Sequence, residues 1–185
     1  MKTFLALCLI GTLTMAVAQS GVELHDNQND TNHVFVIAGD LSGGNPQPCM
    51  KNPNNNAYNN FKKKHIINSN PSFDTSNKKA WAKYLDKKNL CGRVPVQSFF
   101  RQGSEGKVRA ICKGQGFVYN RNLCVSQNTF TVFHVSSQVA KPCKVTRIVS
   151  KKQKVILACD AVANQCLPVH YEKYNGQKPG SVTCK

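Results

Sequence analysis

Phe61-Lys62-Lys63-Lys64-His65-Ile66-Ile67-Asn68 is the stretch on which the fold turns. Phe61 and His65 stand at i and i+4, which places both on one face of a short helix over residues 59–68. Near the other end, Cys166-Leu167-Pro168-Val169-His170-Tyr171 carries a second histidine behind a β-rich run. Imidazole, with an unperturbed pKa of about 6.5, gives and takes protons near neutrality. Two of them, brought together and surrounded by lysine, are candidates for split base and acid duties on a polyanion. A lone histidine more often serves structure, and His25, His33 and His134 take that plainer reading.

Outward from these two stretches the texture divides. Asn77 to Lys88 has Ala80, Trp81, Tyr84 and Leu85 on one helical stripe and lysines on the other face. Beyond Cys91 the runs Val94–Phe100, Lys107–Cys112, Asn128–Val135, Cys143–Val149, Lys154–Cys159 and Leu167–Tyr171 read as short strands. Helices first and strands afterwards indicate an α+β domain. Val155-Ile156-Leu157-Ala158 is too continuously apolar for an edge and is expected at the centre of its sheet. Trp81, Phe99 and Phe130 read as core, and Lys151-Lys152-Gln153-Lys154 as an exposed hairpin turn.

The first eighteen residues have a charged start, an apolar run to Met15 and the small-x-small triplet Ala16-Val17-Ala18. That pattern is a secretory signal peptide over residues 1–18, and it implies a secreted, extracellular chain. Residues 19–58 are rich in Asn and Gly and read as a disordered leader, with an Asn29-Asp30-Thr31 sequon. Removing Cys8 with the signal leaves eight cysteines, an even number that reads as disulfides in an oxidising compartment. A zinc site is the rival, but the chain has no CxxC pair. No P-loop, HExxH or serine-nucleophile elbow is present, and no metal or cofactor is expected.

The formal net charge of +16 is unevenly placed. Residues 19–50 carry Glu23, Asp26, Asp30 and Asp40 and no Lys or Arg, so the cations crowd the remainder. Such an excess implies a polyanionic partner: nucleic acid, an anionic membrane or a sulfated glycan.

Five segments, in order and with both histidines in register, give this chain a family likeness. Phe61-Lys-Lys-Lys-His65-Ile-Ile-Asn, Val108-Arg-Ala-Ile-Cys112-Lys-Gly, Lys141-Pro-Cys143-Lys, Val155-Ile-Leu-Ala-Cys159 and Leu167-Pro-Val-His170-Tyr resemble the vertebrate secreted, pancreatic-type ribonuclease superfamily, nearest its amphibian branch. The resemblance covers roughly residues 59–172 and implies a ribonuclease A-like domain over residues 59–185. Its fold would be a V-shaped antiparallel sheet with three short helices. It implies a metal-independent endoribonuclease, monomeric, that cuts single-stranded RNA after pyrimidines through a 2′,3′-cyclic phosphate. His65 takes the place of the general base and His170 that of the general acid. Lys64, Gln97, Ser98, Tyr171 and Glu172 fall at substrate-binding positions, with Ser98 where the family has a pyrimidine-reading threonine.

The departures are as informative. The family's Cys-Lys-x-Val-Asn-Thr-Phe segment becomes Cys91-Gly92-Arg93-Val94-Pro95-Val96-Gln97-Ser98-Phe99, and the lysine position falls on Val94. Arg93 is the substitute at hand for stabilising charge on the phosphate, although arginine and lysine are not interchangeable. The missing lysine implies reduced activity. It also keeps open a non-catalytic, cationic host-defence protein on the same scaffold, directed at anionic membranes or glycans. The resemblance implies Cys91–Cys143 and Cys112–Cys159 as shared bridges. It also brings the strand at Cys124 towards the hairpin at Cys166, favouring that pair and leaving Cys49 for Cys184, with the other pairings of the four still open. A further family bridge is missing at both ends, with Trp81 and Val135 expected in its place.

Overall fold

The computed structural model describes residues 45–69 and 73–185; the expected signal peptide, the Asn29 sequon and most of the acidic leader lie outside them. Among these residues the chain forms α1 (Ala57–His65), β1 (Ile66–Ile67), α2 (Lys78–Lys88), β2 (Gln97–Arg101) and α3 (Glu105–Ala110). There follow β3 (Gly116–Asn120), β4 (Leu123–Ser126), β5 (Phe130–Gln138), β6 (Lys144–Gln153), β7 (Ile156–Val162) and β8 (Gln165–Glu172). The expected α+β class, three short helices and disulfide staples are all present. The strands divide into two four-stranded sheets, β1-β2-β5-β6 and β3-β4-β7-β8. Pairing is antiparallel throughout except for the short parallel contact of β1 with β2.

Two of the three helices follow their sequence signals. Asn77 caps α2, its side chain accepting from the backbone N–H groups of Lys79 and Ala80 at 2.8 and 3.2 Å. Trp81 and Leu85 are buried from that helix against Phe99, Phe133 and Val135. Trp81 and Val135 thus share one core. α1 starts at Ala57, earlier than the sequence indicates, and ends at His65, because Ile66 turns to extended backbone and pairs with Phe100.

The segment read as a strand over Lys107–Cys112 is instead α3 and the turn after it. Val108, Ile111 and Cys112 recur at i, i+3 and i+4 and are all buried, a helical period that a strand cannot supply. Residues 151–153 also depart from expectation. They belong to β6, which runs on to Gln153 opposite Phe130, so the turn falls later. β7 does lie inside its sheet, between β4 and β8.

Four disulfides join the cysteines of the described residues. Cys91–Cys143 and Cys112–Cys159 are as expected. The other two pairings are exchanged: Cys49 joins Cys166 and Cys124 joins Cys184. Backbone contacts explain the exchange. The Cys49 N–H donates to the carbonyl of Cys159, and Lys51 bridges Ala161 on β7, whose register partner on β8 is Cys166. At the other end, the Cys184 N–H donates to Gly116 and Thr183 bridges Phe117 on β3, whose neighbour β4 carries Cys124. Residues 45–58 therefore pack on the body. Asn52 helps to hold them, donating to the buried Asp160 carboxylate at 2.6 Å.

Candidate active site

His65 reaches the site as the last residue of α1 and is 7% exposed. Phe61, one turn earlier, packs against its ring at 5.1 Å, and Tyr171 from β8 stacks on it at 5.6 Å. The helical pair seen in the sequence therefore orients the imidazole. The ring Nδ1 lies 2.9 Å from the carbonyl oxygen of Ser98. A carbonyl only accepts, so Nδ1 carries the proton and Nε2 is left with a lone pair. Burial pushes the pKa of His65 down to about 4, and the positive charges of His170, Arg93 and Lys64 add to the fall. At neutral pH His65 is an uncharged ring with a free basic nitrogen.

His170 is its opposite in environment. It stands exposed on β8, with Nε2 3.8 Å from a carboxylate oxygen of Glu172 two residues on. β-strand alternation puts residues 170 and 172 on one face, so the carboxylate is held beside the ring by register alone. A buried, uncharged imidazole and an exposed imidazole beside a carboxylate suit different halves of a proton exchange.

Both rings line one cleft of about 500 Å³. The same cleft is lined by Lys64, Arg93, Gln97, Ser98, Tyr171 and Glu172, so every non-cysteine site residue expected from the sequence is brought together. Arg93 is fixed there by its neighbours. Gly92 has φ +62 and its N–H donates to Ser137 Oγ at 3.0 Å. A Cβ at Gly92 would come within 2.5 Å of Val139 Cγ2, so this turn into Arg93 needs glycine. The Arg93 guanidinium then donates twice to Gln97 Oε1, at 3.1 and 2.7 Å. Gln97 in turn donates to the Lys64 carbonyl at 2.6 Å. Both ends of the buried Gln97 amide are thus engaged, and its role is to tie Arg93 to the end of α1.

Sequence reasoning missed part of the wall. His134, read as structural, lines the cleft, and its Nδ1 lies 2.9 Å from Ser98 Oγ. Lys151 and Gln153 of β6 and the tail residues Lys173, Tyr174 and Asn175 line it too. The pairing of β5 with β2 sets Ser98 opposite His134, and no local motif announces that. A second cleft of about 740 Å³ shares Lys64, His170 and Glu172 and continues past Asn54, Asn120 and Arg121. Among the described residues the group of possible metal ligands is Asp86, Cys91 and Cys143, and its two cysteines are spent on their mutual disulfide.

The chain is similar to a ribonuclease of solved structure. That structure, described as SS-RNase-2 des116-120, is 27% identical over 64% of this chain and 98% of its own, with a TM-score of 0.49. No family model matches the sequence, and no curated protein does.

Proposed function

We propose that this protein is a secreted endoribonuclease that cleaves single-stranded RNA on the 3′ side of pyrimidines. One observation carries the reading: a buried His65, its Nδ1 held by the Ser98 carbonyl, and an exposed His170 face a single cleft together with Lys64 and Arg93. His65 Nε2 takes the proton of the ribose 2′-hydroxyl. The oxygen so freed attacks phosphorus, and the bond from phosphorus to the 5′-oxygen breaks as His170 delivers a proton to it. The products are a 2′,3′-cyclic phosphate and a free 5′-hydroxyl. Water opens the ring with the two roles reversed. The substrate brings its own nucleophile, so the scheme calls on no metal, and DNA, lacking the hydroxyl, is not cut.

Arg93 and Lys64 supply positive charge to the phosphate, and Glu172 orients the His170 ring. A guanidinium held by Gln97 replaces the family lysine imperfectly. Loss of a preorganised charge-stabiliser costs roughly 10²–10³ in rate, and a reduced turnover is the expectation. The strand continues from the first cleft past His170 into the second. Four disulfides fit action in an oxidising, extracellular setting.

The test is cleavage of a fluorogenic RNA dinucleotide by the mature, oxidised chain beside His170→Ala. Activity that collapses in the variant supports the enzyme. Activity no higher than the variant's sinks it and leaves binding to membranes or glycans as the use of this scaffold.

A further inference from the structure

Asn175-Gly176 is the sole Asn-Gly pair in the sequence, and Asn175 stands in the wall of the cleft. The pair follows β8 in irregular backbone, both residues are exposed, and Gly176 has φ +86. One side chain holds the bend around them. Gln177 Oε1 accepts from the Asn175 N–H at 2.6 Å, and Gln177 Nε2 donates to the Lys173 carbonyl at 3.2 Å. The Asn175 side-chain amide and the Gly176 N–H make no hydrogen bond among the described residues. By contrast the side chains of Asn45, Asn52, Asn54, Asn77 and Asn122 are each engaged.

We propose that Asn175 is a self-modification site: the Gly176 nitrogen displaces ammonia from the Asn175 side chain, and the carboxylate that results loosens the cleft's hold on polyanions. The proposal goes beyond the ribonuclease reading and does not depend on it. It needs only that the cleft is cationic.

The reaction balances with water as its one co-reactant. The Gly176 nitrogen gives up its proton and bonds to Asn175 Cγ. The Cγ–Nδ2 bond breaks, and Nδ2 leaves as ammonia with that proton, so that a cyclic imide remains. Water then opens one of the two imide C–N bonds. Opening at Cγ gives aspartate at this position, and opening at the main-chain carbonyl gives isoaspartate, whose backbone is one carbon longer. Either way a neutral amide has become an anion.

Three features of the bend favour this path. A Cβ on the following residue would crowd the attacking nitrogen, whereas glycine has none and takes a positive φ without strain. Neither reacting group must first give up a hydrogen bond within the protein. Lys173, two residues earlier on the same wall, places positive charge where the nitrogen turns anionic.

The consequence follows from where the anion appears. Asn175 shares the wall with Arg93, Lys151, His170 and Lys173. A strand bound to such a wall gains from counterions released as its phosphates meet cations. A carboxylate among those cations takes back part of that gain. The freshly folded chain therefore binds polyanions tightest, and its grip declines with age.

The test ages the full oxidised chain in warm, mildly alkaline buffer beside Asn175→Gln and Asn175→Asp. Glutamine keeps a neutral amide, but its longer side chain must close a larger ring and reacts far more slowly. Peptide mapping by mass spectrometry should place the wild-type conversion at Asn175 ahead of the chain's other asparagines. Labelling by an isoaspartate-specific methyltransferase should follow it. Binding of single-stranded oligothymidylate, measured against salt, reads the consequence without turnover. The log–log salt slope of the aged wild type should be shallower by about 0.7, the value of one phosphate contact on a single strand. Asn175→Asp should show the shallower slope from the start, and Asn175→Gln should keep its own starting slope throughout. A folded chain that stays unconverted while the free peptide of residues 173–179 converts overturns the site. Conversion with an unmoved slope, an Asn175→Gln slope that drifts as the wild type's does, or a fresh chain that fails to bind the strand overturns the effect on the cleft. RNA cleavage enters none of these outcomes, so this proposal and the ribonuclease reading fail separately.

Discussion

His65 is neutral because α1 carries it into the core, and that neutrality shapes stability as well as chemistry. Its folded pKa of about 4 lies below the unfolded value of about 6.5. Between those limits the unfolded chain binds more protons, so stability falls as pH drops through the window, and this contribution is lost in full below it. The shift amounts to about 3 kcal/mol. Chemical denaturation at pH values from about 7 to about 4 should show a decline of that order, and His65→Leu should flatten it. On the proposed mechanism the same proton governs cleavage, because His65 must be neutral to accept. Arg93 is one of the charges that depress it, so Arg93→Ala should raise the acid limb of the kcat/KM profile while lowering the rate about 10²-fold or more. An unmoved acid limb would remove Arg93 from the site. The place of both histidines in the cleft was legible in the sequence because each sits in a local motif, whereas Arg93 was legible only as a nearby cation where the motif breaks. His134 was not, since a strand pairing brings it to Ser98.

At the scale of elements, legibility followed how much of each signal was local. α2 announces itself through an apolar stripe and an asparagine before it, and the structure places Asn77 as its cap. Replacing that cap should cost about 1 kcal/mol. Asn77→Ala is thus expected to lower the free energy of unfolding by that much with cleavage unchanged, since α2 contributes no residue to the cleft. A loss of activity without a loss of stability would count against this division of labour. α3 failed to announce itself. The β-branched Val108 in it and Ile111 just after it suggested a strand, and only their spacing over a buried face betrays the helix. β6 was cut short for a related reason. A lysine run reads as a solvated turn, yet on an edge strand lysines are ordinary, and β6 is the edge of its sheet. That extension puts Lys151 and Gln153 in the cleft.

For the whole molecule, charge and cysteine number were plain in the sequence, and the connectivity was not. Which cysteines meet depends on the paths of two irregular segments over the sheets, and those paths are set by backbone bonds. Residues 49–52 run beside β7, and the tail at 180–184 runs beside β3, so Cys49 finds Cys166 and Cys184 finds Cys124. The two bridges differ in what they hold. Cys49–Cys166 ties the approach to α1, which ends in His65, to the start of the strand carrying His170. Cys124–Cys184 anchors the tail that follows Lys173, Tyr174 and Asn175 at the rim of the cleft. Each closes a long loop, and removing either by paired alanine substitution should cost about 2–4 kcal/mol. Their kinetic effects should part company. Opening Cys49–Cys166 loosens the spacing of His65 and His170, which on the proposed mechanism is felt at the transition state and lowers kcat. Opening Cys124–Cys184 frees the tail beyond the rim residues, which should raise KM more than it lowers kcat. Peptide mapping of the unreduced protein checks the pairings first. Steady-state cleavage by the two double variants then decides the rest, because an equal fall in kcat for both would mean that neither bridge has a particular bearing on the histidine pair.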